Sequence, residues 1–321
     1  MMNTADNPKK THQDIPGNPS TAKSSQVKLN DRADGQPLRV LSEDDWQFWQ
    51  HQGYVVIKNA VPLENVRRLA GFLWEFEEKD PNDPSTWYAP PRAEMQMKEL
   101  SNSGMVEVYN HQYLWDNRQY PRVYNAFVDI WGTEHLWVTI DRANLNVPTR
   151  PGHEFKGFIH WDYDPETRPQ NVQGVLALND QTDERMGGFQ CVPELYRTYD
   201  TWKRTQPDDR DRFKPDVQGF DTVKVKMNAG DLLIFNSTEP HGIRPNTSNK
   251  ARLAQYISMM PAQEDDAALR EWRISSWRER RAPEGYAFPG DPRRWEQTRY
   301  ETAVLSPLGE KLLGLTSWED S

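Results

Sequence analysis

The spacing of hydrophobic and polar residues changes twice along the chain. Residues 1–38 carry few large apolar side chains, so they cannot offset the entropy of ordering and we expect a disordered tail. Short β-rich runs dominate from about residue 155 to 260, and helical spacing returns after that. We therefore expect one β-rich domain over residues 39–262 and a helical extension over 263–321 that packs on its outside.

The first ordered segment predicts a helix, a strand and a second helix. Ser42 can cap a helix that carries Asp45 three residues later, and Gly53 ends it. The run YVVIK at 54–58 is typical of a strand. Over residues 63–78 apolar side chains recur at helical spacing, which favours a helix packed on a sheet. The members of this stripe are Val66, Leu69, Leu73 and Phe76.

Prolines interrupt the pattern between residues 80 and 107, where WYAPPR and MQMKEL indicate a loop and a short helix that could form a lid. A helix predicted over 120–131 precedes LWVTIDRANLNV. Alternation in that run places Arg142, Asn144 and Asn146 on one face of a strand, opposite an apolar face. A polar inward face indicates a pocket or water.

Short runs with β character follow, separated by Pro, Gly, Asn and Asp. They are FIHWDYD, VQGVLALND, GFQCVP, TVKVKM, DLLIFN and ARLAQYISMM. Their density favours a sandwich or barrel. TYDTWKRTQ is predicted helical within a long charged connection, and two C-terminal helices, in ALREWRISSWRERR and SPLGEKLLGL, are expected to clamp onto the barrel.

Composition argues against several partners. A net charge of -9 disfavours nucleic acid or an anionic membrane, and the one dense basic run, 278–281, is interpreted as a solvated helix face. No stretch approaches the roughly 18 apolar residues of a membrane span, and the first residues lack a secretory signal. The single cysteine, Cys191, fits a reducing compartment. We expect a cytoplasmic protein with a small-molecule substrate and no evident protein partner.

His160 and Asp162 raise the question of a metal site. His-x-Asp alone is weak, because about half an occurrence is expected by chance in such a chain. In a strand, however, positions i and i+2 project from the same face. His241 is the expected third ligand, from another strand. Two histidines and one carboxylate form the facial triad of non-haem Fe(II) oxygenases, whereas catalytic zinc more often keeps a single open position.

Arg252 opens the run ARLAQYISMM, where it shares a strand face with Ala254 and Tyr256. An inward guanidinium at this depth can hold a dicarboxylate near the metal, through bonds that contribute on the order of 1.5 to 3 kcal/mol each. Arg244 is the competing anchor. Its expected loop position favours a surface or substrate contact.

The combined motif resembles the phytanoyl-CoA dioxygenase-like family of Fe(II)/2-oxoglutarate-dependent oxygenases. The resemblance runs from about residue 40 to 262 and extends to LSPLGEKLLGL. Its matching segments are HWD at 160–162, GGFQCVP at 187–193, GD at 230–231, HG at 241–242, PNTS at 245–248 and Arg252. It implies a mainly β fold with flanking helices, a cupin-like double-stranded β-helix or jelly roll. It also implies that His160, Asp162 and His241 bind iron and that Arg252 binds the distal carboxylate of 2-oxoglutarate.

The resemblance implies a dioxygenase that uses Fe(II), 2-oxoglutarate and O₂ to oxidise a small molecule, with release of succinate and CO₂. An intact Asp162 favours hydroxylation, demethylation or desaturation over halogenation, and we expect hydroxylation first. Asn144 or Asn146 is expected to hydrogen-bond 2-oxoglutarate. The residues expected to contact substrate are Tyr109, His111, Trp115, Arg142 and Arg244, and core packing accounts equally well for Trp115.

Two departures from the family pattern leave the substrate class open. Ile243 stands where many relatives have a small hydroxyl residue, and Pro193-Glu194-Leu195-Tyr196 replaces the more usual Pro-Gly-Ser-His turn. Two other functions stay open as well. One is a metal-binding jelly roll that is not an oxygenase, such as an isomerase or a binding protein, which needs no Arg252 anchor. The other is an interaction scaffold in which the three ligands are merely structural.

Overall fold

The structure is a computed structural model, and it describes residues 20, 27–30, 32, 36–88, 103–283 and 287–319. Within these residues the helices, named α1 to α8 in chain order, are Glu43–Gln52, Leu63–Phe76, Gln112–Arg118, Pro121–Trp131, Pro193–Trp202, Ala267–Glu279, Trp295–Arg299 and Pro307–Leu313. The strands, named β1 to β11, are Tyr54–Ile57, Met105–Val106, Leu136–Val138, Ala143–Asn146, Val172–Ala177, Met186–Cys191, Val223–Lys224, Leu232–Asn236, His241–Asn246, Arg252–Tyr256 and Met259–Pro261.

Two antiparallel sheets form the body of the protein. The larger has the strand order β1-β8-β5-β10-β4-β2, and the smaller has the order β7-β6-β9. The chain passes back and forth between the sheets, because β5 is followed by β6 in the other sheet and β9 by β10 in the first. This crossing pattern is that of the predicted jelly roll. Strands β3 and β11 form a separate pair.

An apolar cluster fills the space between the two sheets. Phe189 and Cys191 come from β6, and Leu233 and Phe235 come from β8. Ala254 of β10 belongs to the same cluster and is fully buried. The inner faces of both sheets therefore pack together, as in other two-sheet folds.

The local signals at the start of the domain act as predicted. Ser42 and Asp45 form a reciprocal capping box at the beginning of α1, and Gly53 ends that helix in the left-handed conformation with φ 73°. The apolar stripe of α2 is buried, and it packs into a large core on the helix-covered side of the barrel.

The C-terminal helices contact the rest of the domain through buried side chains. The Arg273 guanidinium donates to the carbonyl oxygens of Val138, Leu312 and Leu313. Trp318 stacks on Tyr124 with ring centroids 5.7 Å apart. These contacts hold α6 and α8 against β3 and α4, while the division of the chain at residue 263 stays a prediction.

Several predicted elements differ in the structure. LWVTIDRANLNV forms two strands in different sheets, β3 and β4, rather than one. TVKVKM is a strand only over Val223–Lys224, and the helix predicted within 198–206 begins earlier, at Pro193. The MQMKEL helix and the proposed lid lie largely in 89–102, outside the described residues.

Most of the predicted tail also lies outside the described residues. Where the structure describes it, the tail contacts the domain: the buried Ser20 hydroxyl accepts from Ile140 N at 2.9 Å, and Leu29 N donates to Gln170 Oε1 at 2.8 Å. Among the helices that the structure describes, none has the length and apolar character that a membrane span needs.

Candidate metal centre

His160 and His241 are direct backbone partners. They form an antiparallel bridge in which each N–H donates to the other residue's carbonyl, at 2.7 and 3.0 Å. Their rings stand 5.0 Å apart and nearly perpendicular. A Cβ at Gly242 would lie 1.7 Å from the carbonyl oxygen of Phe158. Only glycine therefore lets the backbone of β9 approach the segment before His160 this closely. This close approach explains the HG pair.

Asp162 joins the two histidines, although the strand predicted for FIHWDYD is wrong. His160 lies in an isolated bridge and Asp162 in a bend. The bend brings Asp162 Oδ1 to 3.2 Å from His160 Nε2 and Oδ2 to 3.2 Å from His241 Nε2. Candidate ligand atoms of all three residues lie within 4.8 Å of one another. A bend in the backbone, and not the alternation of a strand, therefore brings Asp162 to the same side as His160.

Trp161 anchors this bend from the other side. Its indole is 2% exposed, packs against Tyr199 and Trp202, and donates from Nε1 to the carbonyl oxygen of Thr238 at 2.9 Å. It belongs to an apolar cluster apart from the triad, and it fixes the backbone between the two ligands.

A second layer of contacts orients the triad. His241 Nδ1 donates to the Glu239 carbonyl oxygen at 2.9 Å, so Nε2 is the ring nitrogen left to bind a metal. Gln173 Nε2 donates to Asp162 Oδ2 at 2.6 Å. Phe158 stacks on His160, with ring centroids 4.6 Å apart.

The charge state of the triad suits a divalent metal. Burial raises the pKa of the Asp162 carboxyl, but His160 and His241 outweigh it and hold that pKa well below its ordinary value. The carboxylate is therefore the form present near neutral pH. Two imidazole nitrogens and one carboxylate oxygen form the donor set of non-haem Fe(II) sites, so these residues fit iron.

Arg252 occupies a buried pocket beside the triad. It lies opposite Asn146 in the pairing of β10 with β4, and its side chain is almost fully buried. Nε donates to Gln181 Oε1 at 2.9 Å, and Nη1 donates to Asn144 Oδ1 at 3.1 Å. No described carboxylate pairs with this guanidinium. A buried cation without an acid partner favours an anionic ligand.

Gly188 makes room in this pocket. Its φ is 94°, and an added Cβ would lie 3.3 Å from Arg244 Nη2, 3.4 Å from Gln181 Oε1 and 3.7 Å from Arg252 Nε. The next residue, Phe189, stacks on His241 with ring centroids 5.8 Å apart. Consecutive residues of β6 thus lie beside the Arg252 guanidinium and beside the metal ligand His241.

Arg244 is not on a surface loop, contrary to expectation. It lies in β9, is almost fully buried, and donates to the carbonyl oxygens of Gly187 and Phe189. Burial and the neighbouring Arg252 lower its pKa to about 10. Arg244 supports the strand that carries Gly188 and adds a second cation beside Arg252.

The two predicted asparagines take different positions in this pocket. Asn144 bridges Arg252 and the carbonyl oxygen of Ser103, to which its Nδ2 donates at 2.6 Å. Asn146 donates to the same carbonyl oxygen at 3.3 Å, and its buried Oδ1 has no hydrogen-bond partner. Their binding to 2-oxoglutarate stays a prediction.

Two of the predicted substrate residues belong to one buried network. Arg142 Nη1 lies 2.7 Å from Glu107 Oε1 and 3.3 Å from the Tyr109 hydroxyl, which donates to the same carboxylate. The Arg142 carbonyl accepts from Tyr256 N at 3.0 Å, so the network stands at the end of β4 beside the Arg252 strand. The Arg142 charge is therefore balanced by Glu107.

His111 and Trp115 are held by core contacts. The His111 ring stacks on Phe72 at 3.8 Å, and burial lowers its pKa to about 4, so it is neutral. Trp115 is fully buried and donates to Asn110 Oδ1 at 3.3 Å. None of these contacts involves the triad, and their contact with substrate stays a prediction.

Sequence reasoning missed the residues that orient the ligands. Gln173, Gln181 and the Glu239 carbonyl contact Asp162, Arg252 and His241 respectively. Glutamine is common in strands and loops, and a backbone carbonyl carries no sequence signal. Only the pairing of distant segments reveals these roles.

Jelly-roll proteins that hold a metal through two histidines and one carboxylate define the class of non-haem iron oxygenases. The chain belongs to the phytanoyl-CoA dioxygenase (PhyH) family, whose model matches residues 49–254. This membership confirms the family resemblance and, with the triad, supports Fe(II) and 2-oxoglutarate as cofactor and cosubstrate.

Individual relatives are distant. Ava biosynthesis cluster protein O of Aspergillus versicolor is 25% identical over 244 residues, covering 68% of this chain and 77% of that protein. A Dictyostelium discoideum protein named "Putative phytanoyl-CoA dioxygenase" is 24% identical over 262 residues, covering 67% of this chain and 74% of its own length. The crystal structure of GlcNAc Inducible Gene 2 from Candida albicans superposes with a TM-score of 0.62 at 13% identity, covering 86% of this chain and 76% of that chain. This last likeness supports the fold.

Proposed function

We propose that this protein is an Fe(II)/2-oxoglutarate-dependent dioxygenase that hydroxylates a small-molecule substrate, releasing succinate and CO₂. The observation that carries the proposal is the position of these consecutive residues of β6. Gly188 opens the pocket of the unpaired Arg252, and the adjacent Phe189 packs on the metal ligand His241. A dicarboxylate held by Arg252 would lie with its other end at the triad.

The chain's own residues bind, orient and exclude water. The triad would hold iron, which supplies the oxidative chemistry when bound. Asp162 fills the carboxylate position that a halogenase leaves vacant for halide, so hydroxylation is favoured over halogenation. Gln173 fixes the rotamer of that carboxylate, and the Glu239 carbonyl fixes the His241 tautomer. The buried rings of Phe189 and Phe235 pack on His241 and exclude water from that side of the site, while the exposed Phe158 stacks on His160.

Substrate recognition is proposed for the end of β4. Tyr109 and Arg142 form a rigid hydrogen-bonded group with Glu107 beside Tyr256. Because the Arg142 charge is already paired, this group favours a neutral polar substrate over a second carboxylate near the iron. A metal-binding jelly roll without oxygenase activity would need the triad but not a buried arginine left without an acid partner.

Succinate formation tests the proposal. Purified protein with Fe(II), ascorbate and 2-oxoglutarate should release succinate, and adding metabolite pools in turn should raise that rate when the substrate is present. Omitting either Fe(II) or 2-oxoglutarate should abolish it. His160→Ala and Asp162→Ala should be inactive while keeping the wild-type melting temperature in metal-free buffer. Full turnover in either variant would contradict the proposal, and iron binding without any 2-oxoglutarate consumption would favour the non-oxygenase function.

A further inference from the structure

A cavity lies between the C-terminal helices and the segment that follows β2, and no residue of the triad lines it. Its volume is about 580 Å³, in the range of small-molecule sites. Glu107 and Tyr109 line it, and the rest of the described wall comes from residues 278–282, 290, 291, 294, 296 and 297. Four arginines line it: Arg278, Arg280, Arg281 and Arg294.

Only the first half of the basic run at 278–281 is the solvated helix face that its sequence indicates, because Arg278 and Glu279 are exposed in α6 while Arg280 and Arg281 lie beyond it and are half-buried. Helix α6 ends at Glu279, in the middle of the run, and Arg280 caps it in the left-handed conformation with φ 54°. Arg294 also has φ 54°, before α7. Non-glycine residues rarely adopt this conformation, and it turns both arginines out of their helices at the cavity.

The acids in the cavity wall are already engaged. Glu107 pairs with Arg142 at 2.7 Å, Glu279 with Arg281 at 2.9 Å, and Asp291 with Arg293 at 2.9 Å. The Glu296 carboxylate accepts from the backbone nitrogens of Tyr109 and Asn110. Glu107, Glu279 and Asp291 are therefore each paired with an arginine already, and the two backbone hydrogen bonds hold the Glu296 carboxyl in place.

Three guanidiniums are left without a described carboxylate partner. Arg280 donates to the carbonyl oxygens of Glu296 and Gln297 and to the Thr302 hydroxyl, all neutral groups. The side chains of Arg278 and Arg294 are exposed at the cavity and make no described hydrogen bond or ion pair. Three guanidiniums without an ion-pair partner around one cavity favour an anion there, in a chain whose net charge is -9.

We propose that this cavity binds a small molecule through a phosphate or pyrophosphate group held by Arg278, Arg280 and Arg294. Guanidinium forks match the acceptor geometry of phosphate oxygens, and several cations around one group suit a polyanion better than a single carboxylate. The cavity shares Glu107 and Tyr109 with the substrate-recognition group proposed above. Binding of a phosphate by the three arginines needs no metal and no 2-oxoglutarate, however, so it goes beyond the proposed oxygenase function and does not depend on it.

Isothermal titration calorimetry with inorganic pyrophosphate tests the site, using full-length protein freed of metal with a chelator. We expect saturable 1:1 binding that weakens as salt rises. The double variant Arg278→Ala/Arg294→Ala should bind at least about tenfold more weakly, a loss consistent with removing two charge-assisted contacts. Both side chains lack described partners, so the variant should keep the wild-type melting temperature.

Two controls locate the binding. Arg67→Ala removes one exposed arginine of α2 outside the cavity wall and should leave the affinity unchanged. Arg252→Ala tests whether pyrophosphate enters the other arginine pocket, and it too should leave the affinity unchanged. Unchanged affinity in the double variant, loss of binding in Arg252→Ala, or no heat up to millimolar pyrophosphate would each overturn the proposal. Succinate at equal concentration should bind much more weakly than pyrophosphate, and equal binding would overturn the preference for phosphate.

Discussion

His160 and His241 exchange two backbone hydrogen bonds, so their Cα atoms lie opposite each other in two neighbouring segments of the chain. This pairing fixes the separation of the two imidazoles through the backbone rather than through side-chain packing. The close approach depends on Gly242, which lies against the Phe158 carbonyl. The geometry of the triad is therefore sensitive to backbone changes on either side of it.

Gly242→Ala should damage the metal centre and the fold together. The added Cβ would meet the Phe158 carbonyl oxygen at 1.7 Å and push the His160 segment away from β9. We expect a loss of about 1 to 3 kcal/mol in the free energy of unfolding and much weaker metal binding. Urea unfolding and Mn(II) titration measure the two effects.

Gly71→Ala is the matched control for that substitution. No atom lies within 4 Å of its added Cβ, and Gly71 is inside α2. Here alanine should stabilise the protein by about 0.5 to 1 kcal/mol without changing metal affinity. If Gly242→Ala behaved like Gly71→Ala, the close approach would not constrain the site.

Gln173→Leu should weaken metal binding without unfolding the protein. The substitution removes the 2.6 Å hydrogen bond that orients Asp162, while the side chain at position 173 keeps nearly the same size. Loss of such outer contacts typically costs about 10- to 100-fold in metal affinity. Calorimetric titration with Mn(II) measures this, with the exposed Gln47→Leu in α1 as control. Wild-type affinity in Gln173→Leu would mean that Asp162 needs no such support.

Arg252→Lys should raise the KM for 2-oxoglutarate more than it lowers kcat. One ammonium replaces the fork that also contacts Gln181 and Asn144, and losing one charge-assisted bond corresponds to about a 10- to 150-fold effect. Metal affinity should not change. The measurement is succinate formation as a function of 2-oxoglutarate concentration. An unchanged KM, with a raised KM in Arg244→Lys instead, would move the anchor to Arg244.

Glu296 should make the protein less stable as the pH rises from about 4.5 to 7. Burial raises the pKa of its carboxyl to about 7, so the folded state holds a proton that the unfolded state has released in this range. Stability from this group is fully present below the unfolded pKa and is lost as the pH approaches 7. A shift of this size is equivalent to at most about 3 kcal/mol.

The difference in unfolding free energy between wild type and Glu296→Gln isolates this contribution, because the other titrating groups are common to both proteins. Between about pH 4.5 and 7 the wild type should lose unfolding free energy relative to Glu296→Gln. Above about pH 8 the difference between the two proteins should no longer change. A pH-independent difference would show that Glu296 titrates normally.

Sequence patterns were sufficient where a signal is local. The Ser42 and Asp45 capping box, the Gly53 stop and the apolar stripe of α2 depend on residues a few positions apart, and all three are present. Alternation predicted that Asn144 and Asn146 share a face of their strand and that Arg252 and Ala254 share a face of theirs. In the structure Arg252 lies opposite Asn146 and Ala254 opposite Asn144, so the four residues lie on the same face of the sheet. The combined motif that runs from HWD to Arg252 was enough to identify the family.

Tertiary structure decided everything that depends on distant segments meeting. A bend and not a strand brings Asp162 to His160, and the loop argument for Arg244 failed because β9 is buried in the smaller sheet. The basic run at 278–281 surrounds a cavity because α6 ends within it. The chain by itself determined which chemical groups are available and which local elements form. Their partners were set by strand pairing and close backbone approach, which act between residues far apart in sequence and leave no periodic signal.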